Sequence, residues 1–321
     1  MSMVKDSNRS RLKKFLAFSL YLFLLFPGQA QQKKDVQPPK AAYNVTVNAV
    51  TLAVTVQDRK GRYINNLEKT DFVVYENNER KEITYFQHDE QAPVSFTVLL
   101  DVSGSMALEN KFEEVRQALR LLAREILSPQ DELALLVFAD GEVEVAARHS
   151  LERSDFLAAL EKEKAYGKTA LNDAVATSPQ YAVRAKNEKR ALILITDGIE
   201  NDSVTTPEQA LEIARRVEVP IYVIGYKIPR AEEILARHKR KSGLSLQSIV
   251  YTLNLFAEAT GGKDFFLDNM EELLAAFYEI KKEQSHQYLI GYTSYREDER
   301  YRKIKVVTRK GNYRIRTRQG Y

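Results

Sequence analysis

Asp101, Ser103 and Ser105 stand two residues apart in "DVSGSM" (101–106), directly after the apolar run "VSFTVLL". Two more polar residues stand in comparable settings, Thr169 in "GKTALND" and Asp197 in "TDGIEND". All five are oxygen donors, with no thiolate and no suitably spaced imidazole among them. The ion they suit is therefore hard, Mg2+ first, with Mn2+ or Ca2+ as alternatives, rather than Zn2+. Two carboxylates balance a divalent charge. Ser103 and Ser105, two apart in an extended turn, can point the same way while Gly104 lets the backbone pass close. Each residue also has a plain structural role open to it. The serines can serve as turn or N-cap residues, Thr169 can cap a helix starting near Leu171, and Asp197 can close a turn with Gly198. Five such coincidences at strand ends are improbable, so metal binding is the expectation. Asp173 and Asp202 are left to a helix first turn and a loop.

Such a site needs a scaffold that brings separate loops together. Residues 93–285 alternate strand and helix patterns. "VSFTVLLD" is a continuous apolar strand, and "KFEEVRQALRLLAREIL" repeats Phe112, Val115, Leu119, Leu122 and Ile126 at helical spacing. "DELALLVFAD" and an edge strand "EVEVAARHS" follow, then helices near 154–163 and 171–186. The order continues with "RALILITDG", a helix at 207–217, "PIYVIGY", a helix ending before "TGG", the strand "DFFL" and a last helix at 270–284. This order predicts an α/β fold: a doubly wound, mostly parallel sheet with helices on both faces. In open parallel sheets ligands collect at the carboxyl ends of strands, where the three polar clusters fall.

The flanks read as β-structure. "VTVNAVTLAVTVQD" alternates at Val45, Val47 and Ala49 and then at Leu52, Val54 and Val56, and the phase slip near Val50 predicts a bulge or bend. "DFVVYE" and "EITYFQ" are short strands with "ENNER" as their hairpin connection. Three more strands follow the central domain, "QYLIGYTS", "RKIKVVTR" and "NYRIRTRQGY", the last two joined by a "KG" turn. Neither set is large enough to stand alone. Residues 43–91 and 286–321 are therefore expected to build one small β-sandwich-like unit beside the central domain at 92–285. The stretch 227–247 breaks the alternation as an insertion with a basic cluster from Arg237 to Lys241, either a solvated surface or a contact for an acidic partner.

Charge points away from nucleic acid. The net charge is +4, but five of the 48 basic residues and only one of the 44 acidic ones fall in residues 1–30, so the remainder is neutral. Residues 1–30 have a basic start, an apolar stretch from Phe15 to Phe26 and the small-residue end "PGQAQ", the three regions of a secretory signal with cleavage after Ala30. That stretch is shorter than the ~20 residues of a spanning helix. Export to the periplasm, the cell surface or the medium is the expectation, with no membrane span after signal removal and with an uncleaved anchor as the alternative. Residues 31–42, "QQKKDVQPPKAA", read as a flexible linker. The absence of cysteine excludes disulfides, thiolate metal sites and lipidation at cysteine.

The serines and aspartate of "DVSGSM", the threonine of "GKT" and the aspartate of "TDG" resemble the metal-ion-dependent adhesion site of von Willebrand factor type A domains, and the likeness runs over roughly 92–285. The resemblance implies direct coordination by Ser103 and Ser105, direct or water-mediated coordination by Thr169, and Asp101 and Asp197 acting mainly through waters. A free coordination position would accept a carboxylate from a partner protein. The flanks, with "VTVQDRKGRYINNLEKTDFVVYENN", "YLIGY" and "RTRQGY", resemble a related subgroup described from Acidobacteria. The expected function is a non-enzymatic adhesion or scaffold module that recognises an exposed Asp or Glu of a protein ligand. A structural module with a purely stabilising metal is one alternative. A serine hydrolase using Ser103 or Ser105 is another, although the Gly-x-Ser-x-Gly elbow is missing and His88, His149, His238 and His286 are scattered. A phosphotransferase using Asp101 as nucleophile finds Ser103, not a second acid, two places on.

Overall fold

The computed structural model describes residues 46–228, 246–296, 298 and 300–321. The signal, the linker and the basic cluster at 237–241 lie outside the described residues. Along the chain run strands β1 (Thr46–Gln57), β2 (Phe72–Glu76), β3 (Glu79–Lys81), β4 (Ile83–Gln87), β5 (Val94–Asp101), β6 (Glu132–Ala139), β7 (Glu142–Ser150), β8 (Lys189–Thr196), β9 (Ile221–Tyr226), β10 (Asp264–Leu267), β11 (Tyr288–Arg296), β12 (Ile304–Thr308) and β13 (Arg314–Arg316). The helices are α1 (Lys111–Leu121), α2 (Arg153–Lys162), α3 (Leu171–Ala182), α4 (Pro207–Arg215), α5 (Leu246–Thr260) and α6 (Met270–Ser285).

Six strands form the central sheet in the order β10-β9-β8-β5-β6-β7, all parallel except the edge strand β7. The near-continuous apolar runs of β5, β6, β8 and β9 explain the arrangement, because a strand buried on both faces needs helices above and below. On one face Val98, Leu100 and Leu135 pack with Val115, Phe156 and Phe277 of α1, α2 and α6. On the other, Leu99, Leu136 and Leu194 pack with Val175, Ala210 and Phe256 of α3, α4 and α5. α1 is shorter than its apolar pattern, because residues 122–126 close it in a wider π turn.

The flanking strands make two further sheets, β13-β1-β11-β4 and β12-β2-β3. Both chain ends contribute to each, and their facing residues, among them Leu52, Val54, Phe72, Val74, Tyr288 and Ile290, form a shared core. Three details differ from the sequence reading. β1 runs without a bulge: Val50, Leu52, Val54 and Val56 all point inward and Ala49 is exposed, so one phase holds from Ala49 to Val56. The irregular step lies where β11 meets β4, with adjacent Gly291 and Tyr292 facing Tyr85 and Ile83, and with Thr84 of β4 as the extra residue. The "ENNER" turn, with Asn77 and Asn78 both at positive φ, joins β2 to the short β3, and "EITYFQ" crosses to pair with β11 instead. The strands flanking the "KG" turn also part company, β12 pairing with β2 and β13 with β1. In the last two cases the strands lie where the sequence placed them and only their partners differ, because pairing is decided by which strand the folded core places alongside.

Buried charges join this small unit to the amino-terminal end of the central sheet. Arg316 of β13 meets Glu283 of α6 and donates to the Gly262 carbonyl at 2.7 Å, and Tyr222 of β9 donates to the same Glu283. Arg318 pairs with Glu218 at 2.8 Å. Lys189, the first residue of β8, donates to the carbonyls of Asp89 (2.6 Å), Gln284 (2.9 Å) and Ser285 (3.2 Å), so its ammonium caps the carboxyl end of α6. The carboxyl edge of the sheet lies at the opposite end, clear of this junction.

Burial pushes the Lys189 ammonium down to about 8, whereas the unfolded side chain titrates near 10.4. Its charge therefore opposes folding fully below pH 8, and that cost fades between pH 8 and about 10.5. In urea unfolding, the wild type is expected to gain stability relative to Lys189→Met across that window, by at most about 1.4 kcal/mol per pH unit. A pH-independent difference between the two proteins would contradict this.

Candidate metal centre

β5 ends on Asp101, which is fully buried and joins two strands. Its Oδ1 accepts the Ser103 N–H at 2.8 Å, fixing the turn that follows, and its Oδ2 accepts the Thr196 hydroxyl at 2.6 Å from the end of β8. Thr196 Oγ1 in turn accepts the Gly198 N–H at 2.9 Å. Burial first, and the charge of Asp197 second, push the Asp101 carboxyl up to about 7.

The two serine hydroxyls come together as the "DVSGSM" spacing predicts. Ser103 Oγ lies 3.1 Å from Ser105 Oγ, and Ser105 donates to Asp197 Oδ1 at 3.1 Å. Thr169 arrives on a loop fastened to this turn: Tyr166 N–H donates to the Val102 carbonyl at 2.7 Å and Gly104 N–H to the Gly167 carbonyl at 3.0 Å. The approach requires small residues, since a Cβ on Gly104 would stand 3.1 Å from that carbonyl oxygen, and Gly167 holds φ +70° with the Asp140 carboxylate where a Cβ would go. On its other side Thr169 N–H donates to Asn201 Oδ1 at 3.0 Å, and its carbonyl accepts the N–H groups of Asn201 and Asp202. The five residues foreseen from sequence thus share one end of the sheet, on three loops stitched to each other.

Two of the plain structural roles fall away. Ser103 makes no side-chain cap bond to the short helical turn it precedes. The cap position of α3 is Ala170, and the free N–H groups of Asn172 and Asp173 are met by Glu200 and Ser203. Asp197 does close its turn, accepting the Ile199 N–H at 3.3 Å on Oδ1. Asp173 and Asp202 organise loops, the first accepting the N–H groups of Val204 and Thr205 and the second pairing with Lys168 at 2.7 Å.

Lys111 went unnoticed in the sequence. Its ammonium lies 2.8 Å from Asp197 Oδ2, with side chains 1% and 0% exposed. Lys111 stands four residues before Val115 on the buried stripe of α1, so its register signalled burial even though its type suggested solvent. Thr196, which follows the apolar run Ala191–Ile195 at the end of β8, carried a weaker signal of the same kind.

The donor set fits a small hard cation. Octahedral Mg2+ holds its ligands at about 2.0–2.1 Å, which sets neighbouring oxygens about 3 Å apart, and Ser103 Oγ, Ser105 Oγ and Asp197 Oδ1 follow one another at that step. Lys111 engages the other oxygen of Asp197 and leaves Oδ1 turned to the serines. Among the described residues no group of three or more His, Cys, Asp or Glu side chains could hold a metal, so hydroxyls must carry a large share of any coordination here.

Removing one partner of a buried ion pair strands the other charge, typically at a cost of about 3–5 kcal/mol. Lys111→Met is expected to lose stability of that order in urea unfolding with EDTA present, and the double variant Lys111→Met, Asp197→Asn to recover most of it. A loss below about 1 kcal/mol would show that the ammonium does not compensate Asp197.

The model of the von Willebrand factor type A domain matches residues 96–263, just over half of the chain and including all five site residues. No curated protein matches the sequence. Solved structures show a similar fold at low identity. The protein BatB from Bacteroides thetaiotaomicron is 19% identical with a TM-score of 0.47, and the match covers 60% of this chain and 97% of that one. The open conformation of the pilus adhesin SpaC from Lactobacillus rhamnosus GG is 11% identical with a TM-score of 0.50, covering 78% and 47%. A von Willebrand factor type A protein from Catenulispora acidiphila is 15% identical with a TM-score of 0.48, covering 69% and 51%. The chain thus spans nearly all of the first and about half of the other two. By the span of the family match, just over half of its length, this chain belongs to the von Willebrand factor type A domain family.

Proposed function

We propose that the protein is an exported, non-enzymatic binding module of adhesion or scaffold type, and that it recognises an exposed Asp or Glu of a protein ligand through a divalent cation, Mg2+ foremost. Ser103, Ser105 and Thr169 would hold the ion with Asp101 and Asp197. The observation that carries the reading is the run of Ser103 Oγ, Ser105 Oγ and Asp197 Oδ1 in steps of 3.1 Å at the open carboxyl edge of the sheet. When bound, the cation supplies a concentrated positive point that a carboxylate can bridge. The chain's own residues do the rest: Asp101 sets the turn geometry, Lys111 fixes the orientation of Asp197, and the Gly104 and Gly167 contact holds the Thr169 loop at the correct height. Export rests on the character of residues 1–30, and among the described residues no helix is long and apolar enough to cross a membrane.

A hydrolase needs a base beside its serine. His149 lies 2.8 Å from Thr97 Oγ1 and stacks on Tyr181, His88 stacks on Tyr288, and His286 faces Asn65. Among the described residues no imidazole is hydrogen-bonded to Ser103 or Ser105, so no contact favours that alternative.

Adding Mg2+ or Mn2+ to EDTA-stripped protein is expected to raise its melting temperature, since an ion bound to the folded state alone contributes about 2.7 kcal/mol at 100 times its Kd. Ser105→Ala should abolish the rise. Capture of a crosslinked envelope protein should be lost on EDTA treatment and in the same variant. A melting temperature unmoved by millimolar metal, or capture indifferent to EDTA, would refute the proposal.

A further inference from the structure

Each of the three loops that supply the site also presents one apolar side chain to water: Leu108 (42% exposed), Tyr166 (55%) and Val204 (92%). None of the three is loosely held. Leu108 is followed by Glu109 and Asn110, both at positive φ (54° and 59°), a conformation that non-glycine residues adopt at a cost and that persists only where the surroundings impose it. The Tyr166 N–H is bonded to the Val102 carbonyl at 2.7 Å, one residue from Asp101. Val204 N–H and Thr205 N–H both donate to the Asp173 carboxylate, at 2.9 and 2.8 Å, while Ser203 is held by Glu200. Scattered exposed apolar residues are ordinary, but three of them, one on each site loop and with the backbone already immobilised, form a pre-ordered contact surface.

The charges beside this surface have one dominant sign on its β7 side. Phe138 lies opposite Asp101 on β6 and Val143 opposite Phe138 on β7, so the turn between β6 and β7 stands about two strand spacings, roughly 10 Å, from Asp101. That turn and the strand after it carry exposed Asp140, Glu142 and Glu144. Asp140 accepts the Lys168 N–H at 2.6 Å, which ties the acidic turn to the Thr169 loop, and the Lys168 ammonium is taken up by Asp202. A uniformly acidic ligand would be repelled there.

We infer that the partner is a protein segment with a single Asp or Glu set among apolar side chains and followed by Lys or Arg on the side facing the β6–β7 turn. The inference rests on the metal-bridged reading above. The carboxylate meets the ion, the apolar neighbours cover Leu108, Tyr166 and Val204, and the basic residue meets Asp140, Glu142 and Glu144. The metal provides the anchor and the rim provides the selectivity.

Three fluorescent heptapeptides with a central Asp test this by anisotropy in 5 mM Mg2+: one flanked by Leu, Tyr and Lys, one by Gly and Ser, one by Leu, Tyr and Glu. The first is expected to bind at least tenfold more tightly than either of the others. Leu108→Ser, Tyr166→Ser, Val204→Ser combined should remove its advantage over the Gly and Ser peptide while Mg2+ binding, followed by calorimetry with the metal alone, stays unchanged. Glu142→Gln with Glu144→Gln should shrink the preference for Lys over Glu. Equal binding of all three peptides, binding of none at 1 mM, or a preference that survives the triple substitution would overturn the inference. If Mg2+ gives no heat, or if peptide binding persists in EDTA, it is the metal-bridged reading that has failed.

Discussion

A carboxylate buried at the seam of two parallel strands is the constraint from which the rest of this molecule follows. Asp101 has no access to water, so both its oxygens must be met by the chain. One takes the Ser103 N–H and the other the Thr196 hydroxyl, which locks the first turn residue to Asp101 and the end of β5 to the end of β8. The serine hydroxyls and Asp197 then have little freedom to lie anywhere but beside each other. A second carboxylate, Asp197, sits equally deep, and Lys111 compensates its charge. Two acids and one ammonium in a dry pocket are costly to assemble, and such an arrangement persists where the fold around it is rigid.

The other end of the sheet is held just as firmly. The small unit built from both chain ends grips the amino-terminal side through Lys189, Arg316 and Arg318, each of which neutralises a carboxylate or caps carbonyl groups that would otherwise be stranded. The division suits a binding module: both chain ends are tied in at one end, and three loops meet at the other. It also separates stability from recognition, because substitutions at Leu108, Tyr166 or Val204 touch none of the core that the sheet and helices share.

Much of this was legible beforehand. A strand buried on both faces reads as an uninterrupted apolar run, and four such runs alternating with helical patterns leave few topologies open. Oxygen donors at the carboxyl ends of such strands converge because parallel strands all end on the same edge, which accounts for Asp101, Ser103, Ser105 and Asp197, whereas Thr169 comes from the loop between α2 and α3 and is brought there by the hydrogen bonds of Tyr166 and Gly104. The partners of the flanking strands could not be named. "EITYFQ" and the two C-terminal strands are strands as their residue types predict, yet β4 joins β11, β12 joins β2 and β13 joins β1. Alternation states that a strand has an inner face and is silent on which strand lies next to it.

The sequence by itself determined the α/β architecture, the end of the sheet where chemistry could occur and the oxygen character of the site, because side-chain type and period are local properties that survive any reasonable packing. Only the tertiary structure decided that Lys111 turns inward to Asp197, that Thr196 holds Asp101, and that three apolar side chains ring the same loops. Those pairings join residues as far as 95 positions apart, and a contact of that range depends on how elements dock, which no run of neighbouring residues encodes.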